Sequence, residues 1–245
     1  MADDSHAVDE QRIAPILLRA GIYRALALGL AYPTAAMLQR IVADWQKLLN
    51  CDQPWPIAVQ PLAEAALAAW READSAELQA EHIRLFGPAG RCPPSETAYG
   101  DAGRMLGKAA QLADISGFYL AFGMQTANHE QQAIDHLALE LEFMSILGLK
   151  EALALSEDWE ERWAVTSDAQ AKFARDHLGI WTDAWYERLR GCDSHPCYLR
   201  LGETIQAFVR SENQRLAVAP HPLEGLTVDK EVGGDALVCP LADEP

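Results

Sequence analysis

Residues 133–155 read AIDHLALELEFMSILGLKEALAL, and this run decides the fold. Wound as a helix, it places Ile134, Leu137, Leu141, Met144 and Ile146 on one side, and Leu139, Phe143 and Leu147 on the other. A helix that is apolar around most of its circumference has no face to give to solvent, so it belongs in the middle of a bundle.

The flanking sequence supplies the rest of that bundle. Upstream, the polar stretch Gln125–Gln132 links the central run to a helix expected over about 101–121. Before that, Gly87-Pro88-Ala89-Gly90-Arg91-Cys92-Pro93-Pro94-Ser95 holds three prolines and two glycines, which forbid helix. Further back, the periodicity predicts helices over about 74–86, opened by Asp74 with Glu77 as a capping box, and over about 58–72. Two more cover about 34–49, with Thr34 as N-cap, and about 11–31. Downstream, helices are expected at about 157–165, 168–190 with a break near Gly179, and 198–213. No segment alternates with a two-residue period and no repeat is present. The fold class is therefore all-α: a single helical bundle of about nine to ten helices over residues 11–215. An acidic tail, residues 1–10, precedes it and an irregular extension, residues 216–245, follows. The breaks at 87–99 and 122–132 are the points where such a chain could hinge.

Composition narrows the function. Twenty Lys and Arg against thirty-six Asp and Glu leave a formal net charge of −16 on 245 residues. Such a surface repels nucleic-acid phosphates and anionic lipid and attracts basic segments. The N-terminal Met1-Ala2-Asp3-Asp4-Ser5 lacks the basic flank and apolar core of a signal peptide, and no apolar run approaches the roughly 20 residues of a membrane span. Five cysteines, an odd number, do not suggest a disulfide framework. A reducing cytoplasm fits these features.

Catalytic motifs are absent: there is no GxSxG, phosphate loop, glycine-rich dinucleotide fingerprint or Glu-x-x-His. Two features carry a rival metal reading. His136 and Glu140 lie four apart on one helical face, and Cys192-Asp193-Ser194-His195-Pro196-Cys197 has the spacing of a zinc loop, with His177 as the nearest helper. A small helical metalloenzyme built on His136, Glu140 and the Cys192–Cys197 loop is thus the alternative. The plainer reading of that loop is an interhelical turn, with His195-Pro196 starting the next helix. Asp135-His136 also has two readings. The Asp can favour a helix dipole while the His satisfies a loop carbonyl, or the two can form a recognition pair for a cationic side chain.

Taken together, three segments resemble a known family. They are Glu81-His82-Ile83-Arg84-Leu85-Phe86, the loop Cys92-Pro93-Pro94-Ser95-Glu96-Thr97-Ala98-Tyr99-Gly100, and Asp135-His136-Leu137 through Glu140 to Met144. In this order they resemble the TorD/DmsD/NarJ redox-enzyme maturation chaperones, and most of all the branch serving type II dimethyl-sulfoxide-reductase-like molybdenum enzymes. The resemblance covers about residues 12–215. It implies an all-helical chaperone, not an enzyme, with no cofactor or metal of its own. Its partner would be the apo catalytic subunit of a molybdenum enzyme or that subunit's twin-arginine leader, held in the cytoplasm until the bis-molybdopterin guanine dinucleotide cofactor is inserted. No nucleic acid or stable membrane insertion is implied, and the chaperone would be a monomer or a domain-swapped dimer. The client-binding residues it points to are Asp135 and His136, Leu85 and Phe86, Pro93, Pro94, Glu96 and Tyr99 of the loop, and Glu140. One departure is Ser95, where the family often has an aromatic residue.

Overall fold

The computed structural model describes residues 2–100, 105–124 and 133–223, and among these the secondary structure is helical apart from one isolated β-bridge. The nine α-helices are α1 Ala2–Gly29, α2 Ala35–Leu49, α3 Gln60–Glu72, α4 Ser75–Phe86, α5 Met105–Ala121, α6 Leu137–Ser156, α7 Glu160–Phe173, α8 Gly179–Gly191 and α9 Pro196–Arg215. Among the described residues no helix is long and apolar enough to cross a membrane. The expected acidic tail at 2–10 is instead the first part of α1, in which Pro15 removes one backbone N–H from the ladder. Most of the 122–132 hinge, and the extension beyond residue 223, lie outside the described residues.

Helix α6 is the central element. Along its length Leu137, Leu141, Phe143, Met144 and Leu147 are fully buried. It lies against α1 closely enough that a Cβ on Gly148 would stand 3.0 Å from the Ala20 Cβ, and the Ser145 hydroxyl donates to the Ala20 carbonyl at 2.8 Å. Phe143 anchors an aromatic cluster, with Phe173 of α7 at 4.7 Å, Tyr119 of α5 at 5.0 Å and Phe118 of α5 at 6.2 Å between centroids. Such ring pairs prefer edge-to-face or tilted geometry, which is what these adopt.

Helix caps follow the local chemistry. Thr34 accepts from the Met37 amide, and the Asp74 carboxylate accepts from Ala76 and Glu77. His195 caps α9, its Nδ1 accepting from the Cys197 amide at 3.2 Å, and Pro196 takes the first helical position. The Cys192–Cys197 segment is thus an interhelical turn. The Cys192 thiol points to the Arg91 carbonyl and that of Cys197 to the Ala69 carbonyl. Burial pushes the Cys197 thiol up to about 12.

The third quarter of the chain differs from the expected helices at 157–165 and 168–190. Helix α7 runs through 166–168 without a break, because the Thr166 hydroxyl folds back onto the Arg162 carbonyl (2.8 Å) rather than competing for the next turn. The irregularity falls later, as a π-turn at Ala174–Leu178. Gly179 follows because a Cβ there would lie 2.4 Å from the Ala174 carbonyl oxygen and 2.6 Å from Pro220. After α9 the chain returns across α8, where the Leu223 amide donates to the Ile180 carbonyl at 2.7 Å.

Candidate functional site

The break after α4 folds back onto the start of α6. The Arg91 and Cys92 amides donate to the Arg84 and Leu85 carbonyls, closing the loop against the helix end. Residues 94–96 then run beside 135–137 as a short antiparallel bridge. The Glu96 amide donates to the Asp135 carbonyl at 3.0 Å, and the Leu137 amide to the Pro94 carbonyl at 2.8 Å. This pairing holds residues 133–136 out of helical geometry, so α6 starts at Leu137 and not at about 133.

Asp135 consequently stands before the helix, 2% exposed. Its Oδ2 accepts from the Thr97 amide (2.9 Å) and the Thr97 hydroxyl (2.6 Å). His136 is the N-cap of α6, its Nδ1 accepting from the Ala138 amide at 3.1 Å. That bond places the ring proton on Nε2, which has no partner among the described residues. Burial holds the imidazole down at about 4, against the opposing pull of Asp135 and with help from His82. His136 is therefore neutral near pH 7 and is not ion-paired to Asp135. Because its folded pKa lies below the ordinary 6.5, its contribution to stability is complete above 6.5 and is lost as pH falls toward 4.

Behind the pair lies a buried carboxyl cluster. Glu96 and Glu140 are both wholly buried and lie close enough to act on each other electrostatically, and the Glu140 Oε1 has no hydrogen-bond partner among the described residues. Burial first, then the neighbouring Glu96 charge, raise Glu140 well above the usual carboxyl range, and its Oε2 accepts from the Trp181 indole at 3.1 Å. Glu96 also receives the Gln111 amide. His177, placed by the π-turn, meets Glu96 through Nδ1 at 3.2 Å and Asp114 through Nε2 at 3.2 Å. Burial opposes the charge on His177, but Glu96 and Asp114 outweigh it and raise its pKa. Tyr99 closes the cluster from the side, stacked on Trp181 at 5.4 Å, with its hydroxyl donating to the Pro93 carbonyl.

The structure therefore brings the expected residues together but buries most of them. Leu85, Pro94, Glu96, Tyr99, Asp135 and Glu140 lie inside, and only Phe86, Pro93 and His136 are half-buried. Phe86 packs edge-on against His82 (5.3 Å) and Tyr198 (5.2 Å). Thr97, Gln111, Asp114, His177 and Trp181 complete the cluster and were not singled out for it. His177 had been assigned to the cysteine loop on sequence proximity alone. The residues of the rival metal reading are separated in the same way: His136 caps a helix, Glu140 meets Glu96 and Trp181, and the two cysteines face backbone carbonyls. Among the described residues no three His, Cys, Asp or Glu side chains are grouped to hold a metal.

Next to His136, the first turn of α6 forms one wall of a groove of about 240 Å³. Ala138, Leu139 and Glu142 face Ala27, Leu28 and Ala31 of α1 across it, with Arg24 and Arg40 at its edge. Two arginines and one glutamate give this groove a mixed charge, where the overall balance had suggested an acidic one.

Residues 50–187 match the family described as nitrate reductase delta subunit. The chain belongs to this family. Among individual relatives, it is 27% identical over 143 residues to the chlorate reductase assembly chaperone protein of Ideonella dechloratans, covering 58% of this chain and 72% of that one. It is 27% identical to the selenate reductase assembly chaperone protein of Thauera selenatis, over 57% of this chain and 70% of that one. With the chaperone protein TorD of Vibrio cholerae, strain El Tor Inaba N16961, the identity is 30% over 146 residues, covering 57% and 62% of the two chains. A solved structure described as a redox enzyme maturation protein, from Archaeoglobus fulgidus, aligns with a TM-score of 0.44 at 16% identity, covering 78% of this chain and 93% of that one. This delta-subunit family member is a chaperone and not an enzyme.

Proposed function

We propose that this delta-subunit family protein is a system-specific cytoplasmic chaperone for the catalytic subunit of a type II dimethyl-sulfoxide-reductase-family molybdenum enzyme. It holds that subunit, or its twin-arginine leader, while the molybdenum cofactor is inserted and before export. The observation that supports this reading best is the groove beside His136. It sets Ala138 and Leu139 against Ala27, Leu28 and Ala31, carries Arg24, Arg40 and Glu142, and starts two residues from a neutral imidazole whose Nε2–H is free to donate among the described residues. Relatives named as assembly chaperones of chlorate and selenate reductases support the client class.

The burial pattern divides the labour. His136, Phe86 and Pro93, which solvent reaches, make contact with the client. Asp135, Glu96, Tyr99 and Glu140 position them by fixing the loop on α6. An apolar client segment fits the groove, with one acceptor for His136 Nε2–H and polar groups for Arg24, Arg40 and Glu142.

The test is calorimetric titration of the apo catalytic subunit of a chlorate or selenate reductase into wild type, His136→Ala and Leu139→Glu. The expected outcome is weaker binding by both variants, with circular dichroism unchanged. Equal affinities for all three would remove the groove from the client site.

A further inference from the structure

The opposite end of α6 carries a second surface that the His136 groove does not use. Every residue from 156 to 165 is exposed, through the turn and into α7, and the first buried side chain of α7 is Thr166. A surface helix ordinarily buries one face. This stretch has no fully buried side chain, yet it holds Trp159 (39% exposed), Trp163 (38%) and Val165 (60%). The other tryptophans, Trp45, Trp55, Trp70, Trp181 and Trp185, are all buried. Between the two exposed indoles and Arg12 of α1 lies a groove of about 350 Å³, floored by Ala154 and Leu155.

Local conformation sharpens the point. The Trp159 amide donates to the Ala154 carbonyl (2.8 Å) and the Asp158 amide to the Leu155 carbonyl (3.4 Å), the paired bonds of a Schellman C-cap. Asp158 adopts φ 52°, the left-handed position that glycine fills at least cost. Trp159 then occupies the N-cap of α7 and makes no side-chain cap bond, where Ser, Thr, Asp or Asn would. Both residues forgo local stability, and both line the groove.

Charge indicates the occupant. Glu157, Asp158, Glu160 and Glu161 crowd this turn against Arg12 and Arg162. The Arg162 guanidinium already lies over the Trp159 ring at 4.1 Å, so this surface seats a cation on an indole face. Among the described residues, no cation or ring stacks on Trp163, one turn further on. A second copy would bring the same acids, on a chain of net charge −16, against themselves.

We propose that this groove docks a cationic, apolar segment of a protein partner. Its Arg or Lys side chains would stack on Trp163 and meet Glu157, Glu160 and Glu161, and its apolar side chains would fill the floor over Ala154 and Leu155. The surface is independent of the client groove beside His136, at the other end of a 20-residue helix.

Acrylamide quenching of the full chain tests it, because five of the seven tryptophans are buried and the accessible signal comes from Trp159 and Trp163. The probe is a short synthetic peptide of arginine and leucine, with glutamate–leucine and serine–leucine peptides and phosphatidylcholine vesicles as controls. Only the arginine–leucine peptide is expected to protect the indoles. By calorimetry, Trp163→Ser should weaken that peptide about tenfold, Glu160→Lys combined with Glu161→Lys should weaken it too, and His136→Ala should leave it unchanged. No protection overturns the proposal, as does equal protection by the serine–leucine peptide or by vesicles. Protection that rises with protein concentration alone would assign the surface to a second copy, and a loss on His136→Ala would merge it with the client site. Either result also overturns it.

Discussion

The two ends of α6 use their side chains in opposite ways. At the N-terminal end, acidic and polar groups are turned inward. Asp135 satisfies two donors of Thr97, His136 caps the helix, and Glu140 is buried beside Glu96, accepting from the Trp181 indole. At the C-terminal end, an acidic turn and two partly exposed indoles face solvent, and Trp159, at the N-cap of α7, supplies no side-chain cap. The first end shows how a family motif can be recognisable because it is structural: its residues shape a groove that their neighbours line. The second, which we propose as a docking surface, carries a left-handed Asp158 and an N-cap without a side-chain bond.

The largest expected effect breaks the first end. Asp135→Ala strands the Thr97 amide and hydroxyl, each hydrogen-bonded to a charged acceptor, and should cost about 4 kcal/mol. Thermal unfolding should show this as a fall in Tm of about 8–16 °C. A shift of a degree or less would mean that the loop does not depend on Asp135.

Glu140→Gln sharpens the contrast by changing sign. The folded pKa of Glu140 is raised above 4.5, so its protonated form favours folding below 4.5, and that contribution is lost as pH rises toward the folded pKa. Glutamine keeps an acceptor for Trp181 and cannot ionise. The variant should be more stable than wild type above pH 4.5, and the difference should widen as pH rises toward the folded pKa, by at most about 1.4 kcal/mol per pH unit. A gain that is flat with pH would show that Glu140 does not titrate with a raised pKa in the folded protein.

The smallest effect concerns the second end. Trp159→Ser supplies the missing N-cap of α7 and should add about 1 kcal/mol, raising Tm by about 2–4 °C while removing an exposed indole. A fall in Tm would show that the indole holds the turn together.

How far the sequence reached follows the range of the forces involved. The helices were legible because a 3.6-residue apolar period and Gly/Pro breaks are local signals. Thr34, Asp74 and His195 stand at caps where the pattern puts them. The start of α6 was misplaced because a β-bridge to Ser95, distant in sequence, holds Asp135 and His136 out of the helix. The expected break between 165 and 168 failed because Thr166 back-bonds within α7. The expected set Leu85, Phe86, Pro93, Pro94, Glu96, Tyr99, Asp135, His136 and Glu140 does converge in space. What composition could not show is that most of it is buried, or that His177, Gln111, Asp114 and Trp181 from three other elements complete it. His177 follows Arg175 and Asp176 in a segment with no motif, and nothing local in that run names Glu96 and Asp114 as its partners.

The π-turn at Ala174–Leu178 has a consequence for how tolerant this chain is to change in length. A wider turn lodges one surplus residue in the helix, and each residue of an α-helix advances the side-chain direction by about 100°. The wide turn takes up that residue, so α8 stays nearly in phase as it presents Trp181 to Glu140 and Trp185 to Phe86. Arg175 and Asp176 face solvent and tolerate substitution, whereas Ala174, His177 and Leu178 are buried and do not. Deleting a solvent-facing residue there would close the wide turn to ordinary α-helix and leave α8 nearly in phase, so the cost of the deletion would fall on His177, which the wide turn aims at Glu96 and Asp114.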